Sequence, residues 1–235
     1  MKAHFADKYQ ENHTMLFKNR TIAGQILAGE LTGYANRSDV IVLALPRGGV
    51  PIGYEVAKAL NAPLDVLVVR KLGVPQQEEL AMGAISSGGV RILNEHIVKL
   101  ANICEETIAT VAAQEQRELE RRENLYRGHC PFPDLQGRIV ILVDDGLATG
   151  ATMWAAVASV RRQNPAQIVI AVPVAASATC RELEVGVDKI VCAATPEPFY
   201  SVGLWYEEFP QTTDDEVRDL LAKAQTGYQP LSLGA

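Results

Sequence analysis

The chain has 235 residues, of which 48% are apolar and 21% are charged, and its formal net charge is −6. These values fit one large globular domain, or a core with a small appendage, and the acidic balance disfavours a general nucleic-acid binder. No apolar run approaches the ~18 residues of a membrane helix, and the polar N-terminal stretch lacks the apolar segment of a signal peptide. The four cysteines are scattered along the chain. These features predict a cytoplasmic protein with reduced thiols.

The first part of the chain alternates between helix and strand patterns. Apolar residues at helical spacing predict a helix over 19–34. The continuous apolar run at 40–45 predicts a strand that is buried on both faces, as in a parallel sheet. A helix at 50–60 and a second strand at 65–69 follow.

The segment 72–89 is the least regular part of the sequence. It contains glycines near both ends and a polar run between them, so we interpret it as a mobile excursion that includes a short hairpin. The chain is expected to return as a strand at 90–93. Asn94 can cap the next helix, which we predict as one long helix over 95–126.

The second half repeats the alternation of strand and helix. This pattern predicts an α/β fold with a central parallel sheet, right-handed crossovers and helices on both faces. The tail at 194–213 carries proline and aromatic residues, and an amphipathic helix at 214–224 ends the pattern. The other predicted elements of this half lie at Ile139–Val143, 151–163, 168–172, Ser177–Leu183 and 189–192.

Three predicted strand ends carry residues that suit a charged ligand. They are the turn Arg47-Gly48-Gly49, the pair Arg70-Lys71 and the loop 144–152. In an open α/β sheet, ligands bind at the carboxyl ends of the strands, so these three segments are expected to form one site.

The loop 144–152 combines two kinds of binding group. Backbone N–H groups at 148–152 open a helix and suit a phosphate, and two threonine hydroxyls can add to them. Asp144 and Asp145 suit sugar hydroxyls, contacted directly or through Mg²⁺. A plain turn is the alternative, since Asp-Gly favours turns. The sequence has no Gly-x-Gly-x-x-Gly, P-loop or Gly-x-Ser-x-Gly motif.

The stretch VILVDDGLATGAT at 140–152 resembles the phosphoribosyl diphosphate (PRPP) signature of the type I phosphoribosyltransferases. In that signature an apolar strand, two acids and a short spacer precede Thr-Gly-x-Thr. LPRGGV at 45–50 resembles the family's pyrophosphate loop, and VVRKLG at 68–73 resembles the strand end that leads into its flexible catalytic loop. The whole chain, including the Phe-Tyr-x-Val-Gly-x-Trp-Tyr tail, is also similar to a group of bacterial phosphoribosyltransferases whose acceptor is unassigned.

The resemblance implies a PRPP-binding core at 38–195, with a flexible loop at about 72–89 and a hood formed by 1–37 and 196–235. It implies that the 5-phosphoribosyl group is transferred to a nitrogen acceptor, a nucleobase-like heterocycle, with Mg²⁺ as cofactor and pyrophosphate as product. It also implies a homodimer. The composition, by contrast, is the ground for expecting no membrane partner and for disfavouring nucleic acid. A non-catalytic PRPP-binding regulator with the same fold and a hydrolase of another α/β family are the alternatives.

The implied residue roles follow the matching motifs. The family often has a non-proline cis peptide in its pyrophosphate loop, which would be Pro46–Arg47 here. Gly146 and Ala148 depart from the branched apolar residue and the threonine of many members. The resemblance assigns catalysis to Asp144, Asp145, Arg70 and Lys71; metal binding, directly or through water, to Asp144 and Asp145; 5-phosphate binding to Ala148, Thr149, Gly150, Ala151 and Thr152; and pyrophosphate binding to Arg47, Gly48 and Gly49.

The acceptor is expected to lie under the hood. Phe199, Tyr200 and Trp205, with their neighbour Tyr206, offer aromatic rings on which a flat base can stack. The alternative is that these rings pack the tail onto the sheet. Glu78 and Glu79 of the flexible loop are either acids that approach the acceptor or solvated side chains.

Overall fold

The computed structural model describes residues 17–128 and 130–229, so residues 1–16 and 230–235 of the predicted hood lie outside the described residues. The strands are β1 (Val40–Ala44), β2 (Leu64–Val66), β3 (Val69–Val74), β4 (Gln77–Ser86), β5 (Val90–Leu93), β6 (Ile139–Val143), β7 (Gln167–Val174) and β8 (Lys189–Ala194). The α-helices are α1 (Arg20–Gly29), α2 (Gly49–Leu60), α3 (Glu95–Leu100), α4 (Glu105–Arg127), α5 (Ala151–Arg161), α6 (Ser177–Leu183) and α7 (Asp214–Gly227). Short 3₁₀ turns lie at Thr32–Tyr34, Glu184–Gly186 and Val202–Trp205.

Five strands form the predicted parallel sheet, in the order β2-β1-β6-β7-β8. Every residue of β1 and β6 is buried, because these runs of branched apolar residues pack on both faces. Val40, Val42 and Ala44 belong to the cluster that includes residues of α1, α2, α4 and α7, whereas Ile41 and Leu43 belong to the cluster with α5 and α6. The predicted α/β fold class, with helices on both faces of the sheet, is confirmed.

The strand register brings two loops to the same edge of the sheet. Ala44 at the end of β1 pairs with Val143 at the end of β6, and the Leu45 N–H donates to the Val143 carbonyl at 2.8 Å. The turn after β1 therefore lies beside the loop after β6, as the topology of parallel sheets requires.

The segment predicted to be irregular, 72–89, is instead mostly regular. Strands β3, β4 and β5 form a separate antiparallel sheet, and the tight turn between β3 and β4 places Gln76 in the left-handed region, with a φ of 67°. The predicted return strand at 90–93 is confirmed as β5. The side chain of Glu79 lies outside the described residues, and the mobility of the loop stays a prediction.

The predicted strand at 65–69 is wrong in its second half. Strand β2 ends at Val66, the Leu67 N–H still donates to the Ala44 carbonyl of β1 at 3.0 Å, and Val68 then pairs with Ser87. The Ser87 Oγ accepts from the Val68 N–H at 3.0 Å, and the Ser87 N–H donates to the Val68 carbonyl at 2.9 Å. Arg70 and Lys71 therefore lie inside the antiparallel sheet, in β3, rather than at the end of a parallel strand.

The predicted long helix over 95–126 is two helices, α3 and α4. Asn102 adopts a left-handed φ of 49° after α3. Its N–H donates to the Lys99 carbonyl at 3.2 Å, and the Ile103 N–H donates to the Val98 carbonyl at 3.0 Å, which is the hydrogen-bond pattern of a Schellman C-cap. The predicted helix over 19–34 is also shorter, since α1 ends at Gly29. Across residues 17–128 and 130–229, no helix combines the length and apolar character that crossing a bilayer requires.

Candidate active site

The acids that follow β6 abut the glycine turn that follows β1. A Cβ added to Gly48 would collide with the Asp145 carboxylate, and one added to Gly49 would lie 2.6 Å from the Val143 carbonyl oxygen. Both glycines are therefore required by close approach of the two loops. The structure thus brings together two of the three strand ends that the sequence indicates.

The glycine turn is preceded by the cis peptide Pro46–Arg47 that the resemblance implies. The Arg47 side chain extends toward the start of α7, where its Nη1 lies 3.8 Å from Asp214 Oδ1. The same carboxylate oxygen accepts a hydrogen bond of 2.6 Å from the Tyr126 hydroxyl. Because the Arg47 side chain is 34% exposed, it can contact a ligand from this position.

The loop before α5 is fixed to the end of β7. The Leu147 N–H donates to the Val174 carbonyl, and the Ala176 N–H donates to the Leu147 carbonyl, both at 2.9 Å. The Thr179 hydroxyl of α6 donates to the Ala148 carbonyl at 2.5 Å. A rigid frame therefore holds the loop that the resemblance assigns to the 5-phosphate.

Gly150 is the N-cap of helix α5 and adopts the left-handed conformation, with a φ of 69°. A Cβ there would lie 2.6 Å from the Thr179 methyl group, so only glycine fits between loop and α6. Ala151 and Thr152, which start the helix, are exposed. The first N–H groups of a helix have no acceptor within the helix, so this end of α5 suits an anion.

The two acids share a crowded, partly buried place. The Asp145 N–H donates to Asp144 Oδ1 at 2.8 Å. Burial raises the pKa of Asp144 well above its usual range, and the charge of Asp145 raises it further. Burial also raises the pKa of Asp145, against the opposing effect of the Arg20 guanidinium. This pair of carboxylates therefore suits a ligand that is cationic or carries hydroxyl groups, and disfavours an anionic group at the same position.

Arg20, in the first turn of α1, is a site residue that the sequence reasoning missed. Its Nε and Nη2 donate to Asp145 Oδ2 at 3.0 and 2.8 Å, and the two side chains are only 11% and 18% exposed. The two residues are 125 positions apart in the chain. The only available signal was that α1 belongs to the predicted hood.

The aromatic tail, which we define as residues 199–210, packs against the loop at 144–152, which we call the acid loop. The Tyr206 hydroxyl donates to the Asp145 backbone carbonyl at 2.6 Å, and the Tyr206 side chain is 2% exposed. Trp205 is 5% exposed and stacks with Phe199, with 6.2 Å between their ring centres. Tyr200 is 59% exposed. Trp205 and Tyr206 are thus buried within the protein. This is the alternative expected from the sequence, in which the rings pack the tail onto the sheet and are not open for stacking with a base.

Arg70 and Lys71 line a different feature from the acid pair. Arg70 Nε and Nη2 lie 2.7 and 2.6 Å from Glu115 Oε2 of helix α4. A cavity of about 520 Å³ lies between α4 and the β3–β4 hairpin, and Arg70, Lys71 and Glu78 contribute to its wall. The Arg70 side chain is thus directed toward α4 and does not contact the acid pair in these bonds.

Comparisons with known proteins give matches to one domain family. The profile of the phosphoribosyl transferase domain matches residues 6–197. Two Mycobacterium tuberculosis proteins, each named a "putative phosphoribosyl transferase", are 46% identical over 214 residues, or 91% of this chain and 48% of theirs. The chain therefore spans about half the length of these curated relatives. The crystal structure of TT1426 from Thermus thermophilus is 37% identical, covers 89% of this chain and 99% of its own, and superposes with a TM-score of 0.79.

Proposed function

Because the chain belongs to the phosphoribosyl transferase domain family, we propose that it transfers the 5-phosphoribosyl group of PRPP to a nitrogen acceptor resembling a nucleobase. Pyrophosphate is the second product. The observation that supports this proposal best is the contact between Asp145 and the Arg47-Gly48-Gly49 turn. It sets two acids between a cationic turn and a helix N-terminus, which matches a sugar that carries an anionic group at each end.

The acid pair also fits a magnesium ion that arrives with its substrate. Within the described residues, no group of three or more His, Cys, Asp or Glu side chains is arranged to hold a metal ion by itself. Mg²⁺ usually binds through one or two carboxylates together with substrate phosphates and water. Asp144 and Asp145 would supply those carboxylates, and the bound ion would neutralise charge on the departing pyrophosphate.

The proposed reaction needs positioning more than covalent help from the protein. The bond between the ribose anomeric carbon and pyrophosphate breaks, positive charge develops on the sugar, and the acceptor nitrogen attacks the opposite face. Asp144 and Asp145 hold the sugar hydroxyls, the N–H groups at 148–152 hold the 5-phosphate, and Arg47 with its two glycines holds the pyrophosphate. The hood excludes water, which would otherwise hydrolyse the donor.

Arg70 and Lys71 are proposed to neutralise the leaving group. Arg70 is engaged with Glu115, so this role requires the Arg70–Glu115 ion pair to open. We assign that movement to the β3–β4 hairpin, which would act as the flexible loop at 72–89. A homodimer remains part of the proposal.

A second candidate, a non-catalytic PRPP-binding regulator, is favoured by one observation. Trp205 and Tyr206 are almost fully buried, so two of the rings expected to stack on an acceptor are used for packing. In that case the acids and loops would bind PRPP without transfer. The exposed Tyr200 and the half-buried Phe199 would be the rings left for an acceptor in the enzyme.

The two candidates differ in pyrophosphate release. We would incubate the protein with PRPP, Mg²⁺ and a panel of purine and pyrimidine bases, and measure pyrophosphate by a coupled assay. Release that depends on a base, and that Asp145→Asn abolishes, supports the transferase. Calorimetric PRPP binding without release for any base supports the regulator. Activity that does not require PRPP, and that survives the substitution of both acids by asparagine, supports a phosphatase or hydrolase of another α/β family.

A further inference from the structure

Arg20 connects the acid pair to the aromatic tail. Besides its bonds to Asp145, its Nη1 donates to the Pro210 carbonyl at 2.6 Å, and its Cζ lies 3.7 Å from the centre of the Phe209 ring. One planar side chain thus contacts the end of β6 and two residues of the tail. A guanidinium can do this because it combines several fixed N–H directions with a flat face.

The geometry at Asp145 leaves part of the carboxylate for a ligand. Both Arg20 bonds end on Oδ2, the atom with which a Cβ added to Gly48 would collide first. These bonds fix the plane of the carboxylate and do not use Oδ1. A sugar hydroxyl or a metal ion can therefore engage Oδ1 while Arg20 stays in place.

The tail has a second connection to the same acid. Tyr206 donates its hydroxyl to the Asp145 backbone carbonyl, and its ring centre lies 4.9 Å from that of Phe209. Tyr206 and Trp205 belong to one apolar cluster with Phe17, against which Phe209 also packs. A change at Asp145 can thus reach Trp205 through a continuous set of contacts.

We propose that Arg20 is a positioning residue that couples the placement of the aromatic tail to the Asp145 carboxylate. The meaning of this coupling for substrate binding rests on the proposed function, since Asp145 would hold the donor and the tail would cover the acceptor. The coupling itself belongs to the ligand-free protein. Through this coupling, the position of the aromatic tail depends on whether Asp145 is bonded to Arg20.

Tryptophan fluorescence provides the test. The chain has two tryptophans, so Trp154→Phe leaves Trp205 as a reporter inside the tail. In that background, Arg20→Gln and Asp145→Asn should each raise acrylamide quenching of Trp205 by at least about twofold, and the double variant should show no more than the larger single effect. Arg20→Lys should give an intermediate value, because lysine keeps the charge and loses the planar contacts.

The matched control is Arg37→Gln, which removes an arginine paired with Asp39 at the surface, where their side chains are 46% and 44% exposed. It should leave the quenching unchanged. Additive effects of the two site variants, or no effect of Asp145→Asn, would overturn the coupling, because Arg20 would then support the tail through Phe209 and Pro210 alone. If Arg20→Gln does not unfold cooperatively, Arg20→Lys with Asp145→Asn forms the same cycle.

A donor titration separates this proposal from the proposed function. If calorimetry detects no binding of PRPP with Mg²⁺ to the wild-type protein, the proposed function is refuted. The quenching of the Arg20 and Asp145 single and double variants, measured without ligand, would still test the coupling. Where PRPP binds, it should lower Trp205 quenching in the Trp154→Phe protein and leave it unchanged when Arg20→Gln is added. An equal fall in both proteins would overturn the role of Arg20.

Discussion

Val202 occupies the space that a side chain at position 146 would need. A Cβ added to Gly146 would lie 2.6 Å from Val202 Cγ1 and 3.0 Å from Val174 Cγ1. The resemblance implies a branched apolar residue at position 146, where this chain has glycine. The Val202 side chain of the tail fills the space beside Gly146. The acid loop and the tail pack as one surface at this point.

We expect Gly146→Ala to lower the free energy of unfolding by about 1–3 kcal/mol, because the branched Val202 side chain cannot easily turn away. Val202→Ala removes the two methyl groups that obstruct position 146. The double variant should lose less stability than the sum of the two single losses, as measured by urea denaturation. Strictly additive losses would show that the two positions do not compete for the same space.

Asp145→Asn should weaken binding of PRPP with Mg²⁺ by at least about tenfold, because asparagine keeps the shape of the side chain and loses its charge. Folding should suffer less, because the substitution lies outside the fully buried strands β1 and β6. Calorimetry and thermal denaturation measure the two effects. Asp39→Asn, at an exposed ion pair, is the control, and unchanged PRPP affinity in Asp145→Asn would refute the site assignment.

Arg47→Ala should weaken product inhibition by pyrophosphate by about tenfold, since a charge-assisted contact to the ligand is lost. Its effect on stability should be small, because its ion pair with Asp214 is long and partly exposed. Inhibition constants for pyrophosphate, compared with those of Arg37→Ala, check this. Normal inhibition in the Arg47 variant would count against the role of the turn.

Cys180 should titrate near neutral pH. The neighbouring Cys192 side chain lowers the pKa of the Cys180 thiol to about 7, whereas the pKa of Cys192 is raised. The thiolate is the reactive form, so alkylation of Cys180 by iodoacetamide should accelerate as the pH rises through about 7. Mass spectrometry of the Cys180 peptide measures this rate.

The variant Cys192→Ala tests whether Cys192 is what lowers the pKa of Cys180. It removes the neighbouring thiol, so the midpoint of Cys180 alkylation should move to higher pH, toward that of an ordinary thiol. A midpoint that stays at the wild-type value would mean that another group sets the reactivity of Cys180.

The parallel sheet was accessible from sequence because its strands carry strong local patterns. The run Ile139–Val143 is apolar at every position and is flanked by polar residues, so its bounds matched the structure. The turn Arg47-Gly48-Gly49 and the two acids were also found together, since the carboxyl ends of neighbouring parallel strands share an edge. The cis peptide was expected from the resemblance alone, because no local pattern in the sequence specifies it.

The missed features depend on contacts between distant residues. Nothing near Val68 indicates that it will pair with Ser87. The break at Asn102 has a local cause, but Asn in a charged, helix-forming stretch is a weak signal compared with glycine. Arg20 lies at the start of an ordinary amphipathic helix, and only its three-dimensional position reveals its partner, Asp145.

The bond between Arg20 and the Pro210 carbonyl spans 190 residues, and this separation has a consequence during protein synthesis. The five strands of the parallel sheet can pair while the chain is still on the ribosome, because the last of them ends at Ala194. Arg20 must wait for residues 209 and 210 to emerge before it can complete its contacts. A nascent chain thus carries Asp145 before residues 206–210 exist, and the contacts around Asp145 are complete only after residue 210 has emerged.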